Sequence, residues 1–242
     1  MKLILRFLYN LLFVNSSRRY LEDFLRRAAA AAPPGARVLD AGAGDGRYRH
    51  LFLHTQYEAT DFGQVHKHYV FERLDFLSDL RHLPVAEDYY DQVICSQVLE
   101  HINEPAQMLQ QLHQVLKPGG TLWLSTPLFY AEHETPHDYF RYTQFGLRYL
   151  LEKSGFDILQ LEWLEGYYGT LAYQSLSAAL ALPVLPRHYG GGAIGWSAAL
   201  LALPLKPLLA LASILATYLD LRHKVTHVGL CKNYTVVARK SG

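Results

Sequence analysis

The sequence predicts an α/β fold built on a doubly wound, mostly parallel sheet, and two observations carry that prediction. Short apolar strands alternate with helical stretches from Tyr20 to Trp163, the pattern left by right-handed βαβ units. The stretch "LDAGAGDGRY" (39–48) then sets three glycines in five positions directly behind an apolar run. Glycine costs backbone entropy, so a ligand pressed against the backbone is the usual reason for such a turn. Size and composition agree. The chain has 242 residues, half of them apolar and 19% charged, which suits one domain with a full core plus an appendage. Lys and Arg total 23 against 22 Asp and Glu, so no electrostatic footprint for nucleic acid is present. Two cysteines, Cys95 and Cys231, exclude a disulfide framework and fit a reducing, cytoplasmic compartment.

Taken in order, the elements read as follows. Leu3/Ile4, Phe7/Leu8 and Leu11/Leu12 recur every four residues and predict an amphipathic helix, packed on the protein or lying on a membrane surface. Arg6 and Asn10 interrupt its apolar run, which argues against a signal peptide. Tyr20, Leu21, Phe24, Leu25 and Ala28 mark a second helical face ending near Pro33-Pro34-Gly35. "ARVLDAG" is a buried strand running into the glycine turn, and "GRYRHLF" starts the next helix. "YEATDF" (57–62) is a second strand and "YVFERLDF" a third, with "SDLRHLP" the loop beyond it. "YDQVICS" (90–96) is a fourth, followed by a helix from Leu99 through Leu116 that Lys117-Pro118-Gly119-Gly120 stops. "TLWLSTP" is a fifth strand, and "TQFGLRYLLEKSGFDILQLEWL" reads as a helix and a sixth. The ligand crevice of such a sheet lies at the carboxyl ends of its strands, where the loops open.

The glycine turn narrows the ligand. A dinucleotide fingerprint is G-x-G-x-x-G, whereas here the spacing is Gly42-x-Gly44-x-Gly46 with Arg at 47. Asp40 stands two residues before the first glycine, poor company for a pyrophosphate but good company for a cation. A nucleoside-like cofactor bearing positive charge fits, and S-adenosylmethionine is such a molecule. Asp61 lies about 20 residues on at a strand end, where a carboxylate can bind both ribose hydroxyls. NAD uses such a residue likewise, so the glycine spacing and Asp40 decide for the methyl donor.

The segments "VLDAGAGDG", "ATDFG", "SDLRHLPV", "YDQVICSQVLEHI" and "LKPGGTLWLSTP" follow one another between Val38 and Pro127. In that order and spacing the chain resembles the class I S-adenosylmethionine-dependent methyltransferases. The resemblance implies a Rossmann-like, seven-stranded sheet whose last strand is antiparallel, with "KNYTVVARK" as that strand. It also implies that Gly42, Gly44 and Gly46 line the methionine portion with Asp40 nearby, and that Asp61 holds the ribose. Asp79, followed by Leu80, would meet the adenine, while Ser96 and Gln97 would face the methionine end and the substrate mouth. His101 would lie near that mouth. Each assignment has a plainer alternative: Asp79 as a loop or capping residue with Asp75 in its place, Ser96 as a strand-end hydroxyl, His101 as a backbone-bonded histidine.

"PLFYAEHETPHDYFRYT" (127–143) falls where these folds place the acceptor pocket. His133, Glu134, His137 and Asp138 raise the question of a metal, since histidines four apart share a helix face. Pro136 makes regular helix unfavourable there, methyl transfer needs no metal, and none is expected. His101, His133 and His137 are the candidate bases, with Arg141 beside them as a further candidate for turnover. The sequence thus divides into N-terminal helices (1–34), a methyltransferase core (35–167), an apolar helical insertion (168–224) and a last core strand (225–242). Within the insertion, "GWSAALLAL" and "PLLALASILATYL" read as two half-length helices joined at a Lys206 kink between Pro204 and Pro207. They suit dipping into one leaflet, capping the acceptor pocket or forming a dimer face. The expected activity is methyl transfer to a small-molecule or lipid acceptor, in the cytoplasm or at the inner face of a membrane. The competing class is an S-adenosylmethionine-binding regulator without turnover.

Overall fold

The computed structural model of the protein describes residues 15–63 and 73–241. The helix expected over 1–14 and the first residues of the expected third strand lie outside the described residues. The chain divides into two compact units, one holding Tyr20–Leu164 with the segment from Lys232, the other holding Glu165–Cys231 with the residues up to Arg19.

The first unit is the sheet. Helix α1 (Ser16–Ala31) precedes it, with the Asn15 side chain accepting from the Arg18 amide at 3.1 Å in the manner of a helix cap. Its apolar stripe buries Phe24, Leu25 and Ala28, and Phe24 meets Trp123 with ring centroids 5.2 Å apart. The strands are β1 (Arg37–Ala41), β2 (Gln56–Asp61), β3 (Phe76–Leu77), β4 (Tyr90–Ser96), β5 (Leu116–Pro127), β6 (Phe156–Trp163) and β7 (Asn233–Lys240). They form one sheet in the order β3-β2-β1-β4-β5-β7-β6. The pairs among β1 to β5 are parallel, and β7 lies antiparallel between β5 and β6. This is the predicted fold class, last strand included. Val38, Leu39, Val93, Ile94 and Cys95 are fully buried, as central strands of a doubly covered parallel sheet must be. Helices α2 (Pro105–Val115) and α3 (Gln144–Lys153) complete the unit, and the Thr143 hydroxyl caps α3 by accepting from the Gly146 amide at 3.1 Å.

Four element boundaries differ from the sequence reading. The third strand, expected over 69–76, is not a strand at residues 73–75, and β3 begins at Phe76. "GRYRHLF" forms turns and a single 3-10 turn at Arg49–Leu51 rather than an α-helix. The helix expected from Leu99 through Leu116 is a 3-10 turn at Leu99–His101 followed by α2, whose first residue is Pro105; proline at a first helical position sets the start there. Lys117-Pro118-Gly119-Gly120 belongs to the start of β5, where the β4–β5 register shifts between Tyr90 and Gln92. Gly119 there takes φ +77°, so the glycines make a bulge in a strand.

The second unit is a helical hairpin of α4 (Tyr167–Ala181) and α5 (Gly192–Arg222). Helix α5 is continuous over 31 residues, with Pro204 and Pro207 inside it, so the expected pair of half-length helices is one helix. Lys206 donates from Nζ to the carbonyls of Leu182 (2.7 Å) and Leu180 (3.3 Å), which are among the carbonyls that a helix end leaves without intrahelical partners. The buried residues are small or polar: Gly169, Thr170, Ala172, Ser175 and Ala179 on α4, and Gly195, Ala199, Ala202, Ser213, Ala216, Thr217 and Asp220 on α5. The Ser213 hydroxyl donates to the Ala172 carbonyl at 2.8 Å. The large side chains face outward, with Ile194, Trp196, Leu200, Leu201, Leu208, Leu211 and Leu215 all exposed.

Gly42 has φ +84°, and a Cβ there would overlap both methyls of Val98. Gly42→Ala combines left-handed backbone strain of about 1–2 kcal/mol with overpacking of about 1–3 kcal/mol. Urea unfolding is expected to show a loss of about 2–5 kcal/mol relative to the unaltered protein.

Candidate active site

The carboxyl ends of β1, β2, β3 and β4 carry, in turn, the glycine turn, Asp61, Ser78 with Asp79, and Ser96 with Gln97. The turn takes left-handed backbone at all three glycines, with φ of +84°, +59° and +64° at Gly42, Gly44 and Gly46. It is tied to β2 twice over. The amides of Gly42 and Ala43 both donate to the Thr60 carbonyl at 2.9 Å, and the Gly44 amide donates to Asp61 Oδ2 at 2.9 Å. Asp61 Oδ1 accepts from the Gly63 amide at 3.0 Å. A carboxylate offers about four lone-pair sites, so two remain. Asp40 is buried and accepts a hydrogen bond from the Tyr57 hydroxyl. Burial pushes its carboxyl up to about 6, against the lowering effect of Tyr57.

On the next loop, Thr60 and Ser78 share a hydroxyl hydrogen bond of 2.8 Å. Asp79 is gripped by Arg81, whose Nη2 donates to Oδ2 at 2.7 Å and whose Nε donates to Oδ1 at 3.0 Å. These bonds hold the Asp79 carboxyl below the usual range. Leu80 beside it is buried. At the end of β4, the Ser96 and Ser125 hydroxyls lie 3.2 Å apart, and Gln97, at φ +58°, donates from Nε2 to Ser125 Oγ at 3.2 Å. The hydroxyl of Ser96 is therefore part of a small polar cluster.

The stretch over 127–143 is organised around Arg141. All five of its donor hydrogens have acceptors: the carbonyls of Tyr130 (3.0 Å), Ala131 (3.1 Å) and Phe140 (2.8 Å), and both Asp138 oxygens at 2.7 Å. A guanidinium so engaged has every donor hydrogen satisfied within the protein, so Arg141 ties residues 130–141 together. The same contacts hold the Asp138 carboxyl far below the usual range. Asp138 also accepts from the His133 amide at 2.8 Å.

This loop returns to the 3-10 turn after β4. His101 Nδ1 is 2.6 Å from the His137 carbonyl; a carbonyl only accepts, so Nδ1 carries the hydrogen and Nε2 keeps a lone pair. His133 Nδ1 lies 3.2 Å from the Ala131 carbonyl, with the same consequence. The two rings meet edge to face at 4.6 Å, and burial together with His101 pushes the His133 pKa down. His137 contributes a backbone carbonyl to this group, while its ring reaches the Tyr139 hydroxyl at 3.2 Å. Glu100, which the sequence reading passed over, lies fully buried beneath the pair. Its Oε2 accepts from the Thr126 hydroxyl at 3.1 Å, and burial pushes its carboxyl up to about 8. Nothing in the spacing of "VLEHI" distinguishes Glu100 from an exposed helix residue; only the 3-10 turn aims it inward.

Residues 13–161, more than half of the chain, match the family described as a methyltransferase domain. Over 110 residues the chain is 34% identical to a ubiquinone biosynthesis O-methyltransferase of Xanthomonas campestris pv. campestris, covering 41% of this chain and 46% of that protein. Over 155 residues it is 30% identical to a protein of Mycolicibacterium smegmatis named "Probable S-adenosylmethionine-dependent methyltransferase", covering 58% and 59% of the two chains. The chain thus spans about half the length of the curated relatives it matches. A solved S-adenosylmethionine-dependent methyltransferase from Archaeoglobus fulgidus shares the fold, with a TM-score of 0.57 at 16% identity over 97% of this chain and 99% of that one.

Arg141→Ala removes charge-assisted hydrogen bonds to Asp138, each kind worth about 1.5–3 kcal/mol. It is expected to lower the unfolding free energy by about that amount and to expose residues 128–141 to limited proteolysis. Equal protease resistance in variant and unaltered protein would show that the loop is held by other contacts.

Proposed function

Because the chain belongs to the methyltransferase-domain family, we propose that it moves a methyl group from S-adenosylmethionine to a lipophilic acceptor at a membrane surface. The observation that carries the donor half is the turn of three left-handed glycines fastened by Asp61. The missing side chains let a ligand approach the backbone, and Asp61 keeps two lone-pair sites for a ribose diol after accepting from Gly44 and Gly63. These residues fit the cofactor. Gly42, Gly44 and Gly46 would line its methionine portion, with Asp40 a buried charge nearby. Leu80 and Asp79 would bound the adenine, with Arg81 fixing the Asp79 carboxylate. Ser96 and Gln97 would close the methionine end.

When bound, S-adenosylmethionine supplies an electrophilic methyl carbon, so the chain's task is to align the acceptor and exclude water. The Nε2 lone pairs of His101 and His133 are the basic groups at the acceptor end, and a hydroxyl placed there has a proton acceptor at hand. His137 takes a supporting role by fixing the His101 tautomer through its carbonyl.

The hairpin supports the lipophilic half. A hairpin that turns glycine, alanine and serine inward and leucine outward has the packing of helices surrounded by lipid. Helix α5 is also long and apolar enough to cross a membrane, with only 17% of its most apolar window buried. Lys206 meets the carbonyls of Leu180 and Leu182 at the end of α4, which lessens its cost in apolar surroundings. The relatives named for ubiquinone biosynthesis point the same way. We place the hairpin at the membrane interface of the cytoplasmic face.

Two measurements test the two halves. Asp61→Ala is expected to weaken S-adenosylhomocysteine binding by about 1.5–3 kcal/mol in calorimetry, and unchanged affinity would remove Asp61 from the site. Full-length protein is expected to sediment with phospholipid vesicles. Replacing Leu208 and Leu211 together by Glu should release it, since each buried leucine contributes about 1.5–3 kcal/mol. Protein that stays in the supernatant and monomeric without detergent would overturn the membrane half alone.

A further inference from the structure

We propose that Glu100, His101 and His133 form a binding site for a divalent transition-metal cation at the acceptor end of the sheet. One ligand atom from each lies within 4.8 Å of the others. His101 Nε2 is 3.8 Å from Glu100 Oε1 and also 3.8 Å from Glu134 Oε2. Bonds of about 2.1 Å to a tetrahedral cation would set donors about 3.4 Å apart, a contraction that small side-chain rotations supply. Two imidazoles and a carboxylate are a borderline N/O set, suited to Zn²⁺, Co²⁺ or Fe²⁺ rather than to Mg²⁺ or Ca²⁺.

Two independent features mark this as a built site. Glu100 Oε1 is buried without a hydrogen-bond partner, although Oε2 of the same carboxyl is engaged by Thr126. A buried polar atom left alone costs free energy, and this one faces the His101 lone pair. Both imidazoles are also oriented from behind: His101 Nδ1 by the His137 carbonyl and His133 Nδ1 by the Ala131 carbonyl, with Asp138 Oδ2 3.4 Å from the latter nitrogen. Outer contacts of this kind fix the tautomer that presents Nε2 to a metal. The sequence reading set a metal aside because Pro136 breaks the helix that would align His133 with His137. The structure pairs His133 with His101 instead, and His137 serves through its backbone.

Three protein ligands leave coordination positions open; a bound cation occupies the His101 and His133 lone pairs, so the two imidazoles serve as bases only in the metal-free site, and the cation instead lowers the pKa of a bound hydroxyl. That use rests on the methyl-transfer reading; the site itself does not. The test uses full-length protein stripped with a chelator, titrated with Zn²⁺ by calorimetry and with Co²⁺ by visible absorption. We expect one equivalent to bind, with the visible bands of a low-coordinate Co²⁺ site. His101→Ala, His133→Ala and Glu100→Gln should each weaken binding by about 10–100-fold or more, while His188→Ala leaves it unchanged. Circular dichroism and S-adenosylhomocysteine binding are followed in the same samples. Absence of stoichiometric binding to the unaltered protein overturns the site whether or not the variants fold, and so does binding that persists in all three. Either result with intact S-adenosylhomocysteine binding leaves the methyl-transfer reading standing.

Discussion

The double pairing of β1 is the constraint from which the site follows. β1 aligns with β2 over five residue pairs on one side and with β4 over three on the other, so the strand order reverses there. Crossovers on the two sides of such a strand leave in opposite directions and leave a gap at its carboxyl end. Gly42 to Gly46 occupy that gap because they are the continuation of β1. Asp61 enters from β2, and Ser96 and Gln97 enter from β4. The hydrogen bond from the Gly44 amide to Asp61 joins the turn to β2, so the arrangement is tertiary although each half is read from a local motif.

The two ends of the site are held in different ways. At the glycine turn, three backbone amides donate to β2, two to the Thr60 carbonyl and one to the Asp61 carboxylate. In the loop over 128–141 a single guanidinium gathers three carbonyls and a carboxylate. Asp138 links the ends of that arrangement, meeting Arg141 with its side chain and the His133 amide at the same time. All the donor hydrogens of Arg141, a candidate for turnover in the sequence, are thereby used within its own loop.

What the sequence revealed was what depends on neighbours in the chain. The glycine turn, Asp61 at a strand end and the apolar strands were legible because each strand and the turn or carboxylate that ends it lie within a few residues of each other. The 3-10 turn at Leu99–His101 was not, since "LEHINEP" carries helical spacing until Pro105 restarts it, and the inward aim of Glu100 follows from that break. The pairing of His101 with His133 joins segments 32 residues apart and has no local signature. Helix α5 runs through Pro204 and Pro207 because the two losses fall within a long ladder packed against α4, where tertiary support outweighs local propensity.

Strand β7 lies between β5 and β6, and its residues follow the hairpin in the chain. During synthesis, α4 and α5 therefore emerge while the sheet still lacks the strand that joins β6 to the rest. A leucine-covered hairpin presented at that stage meets its surroundings before the globular part can close, and exposed apolar surface in an incomplete chain is prone to capture by other apolar surfaces. The sheet is thus completed only after the whole hairpin has been made. The antiparallel strand acts as a latch that shuts afterwards.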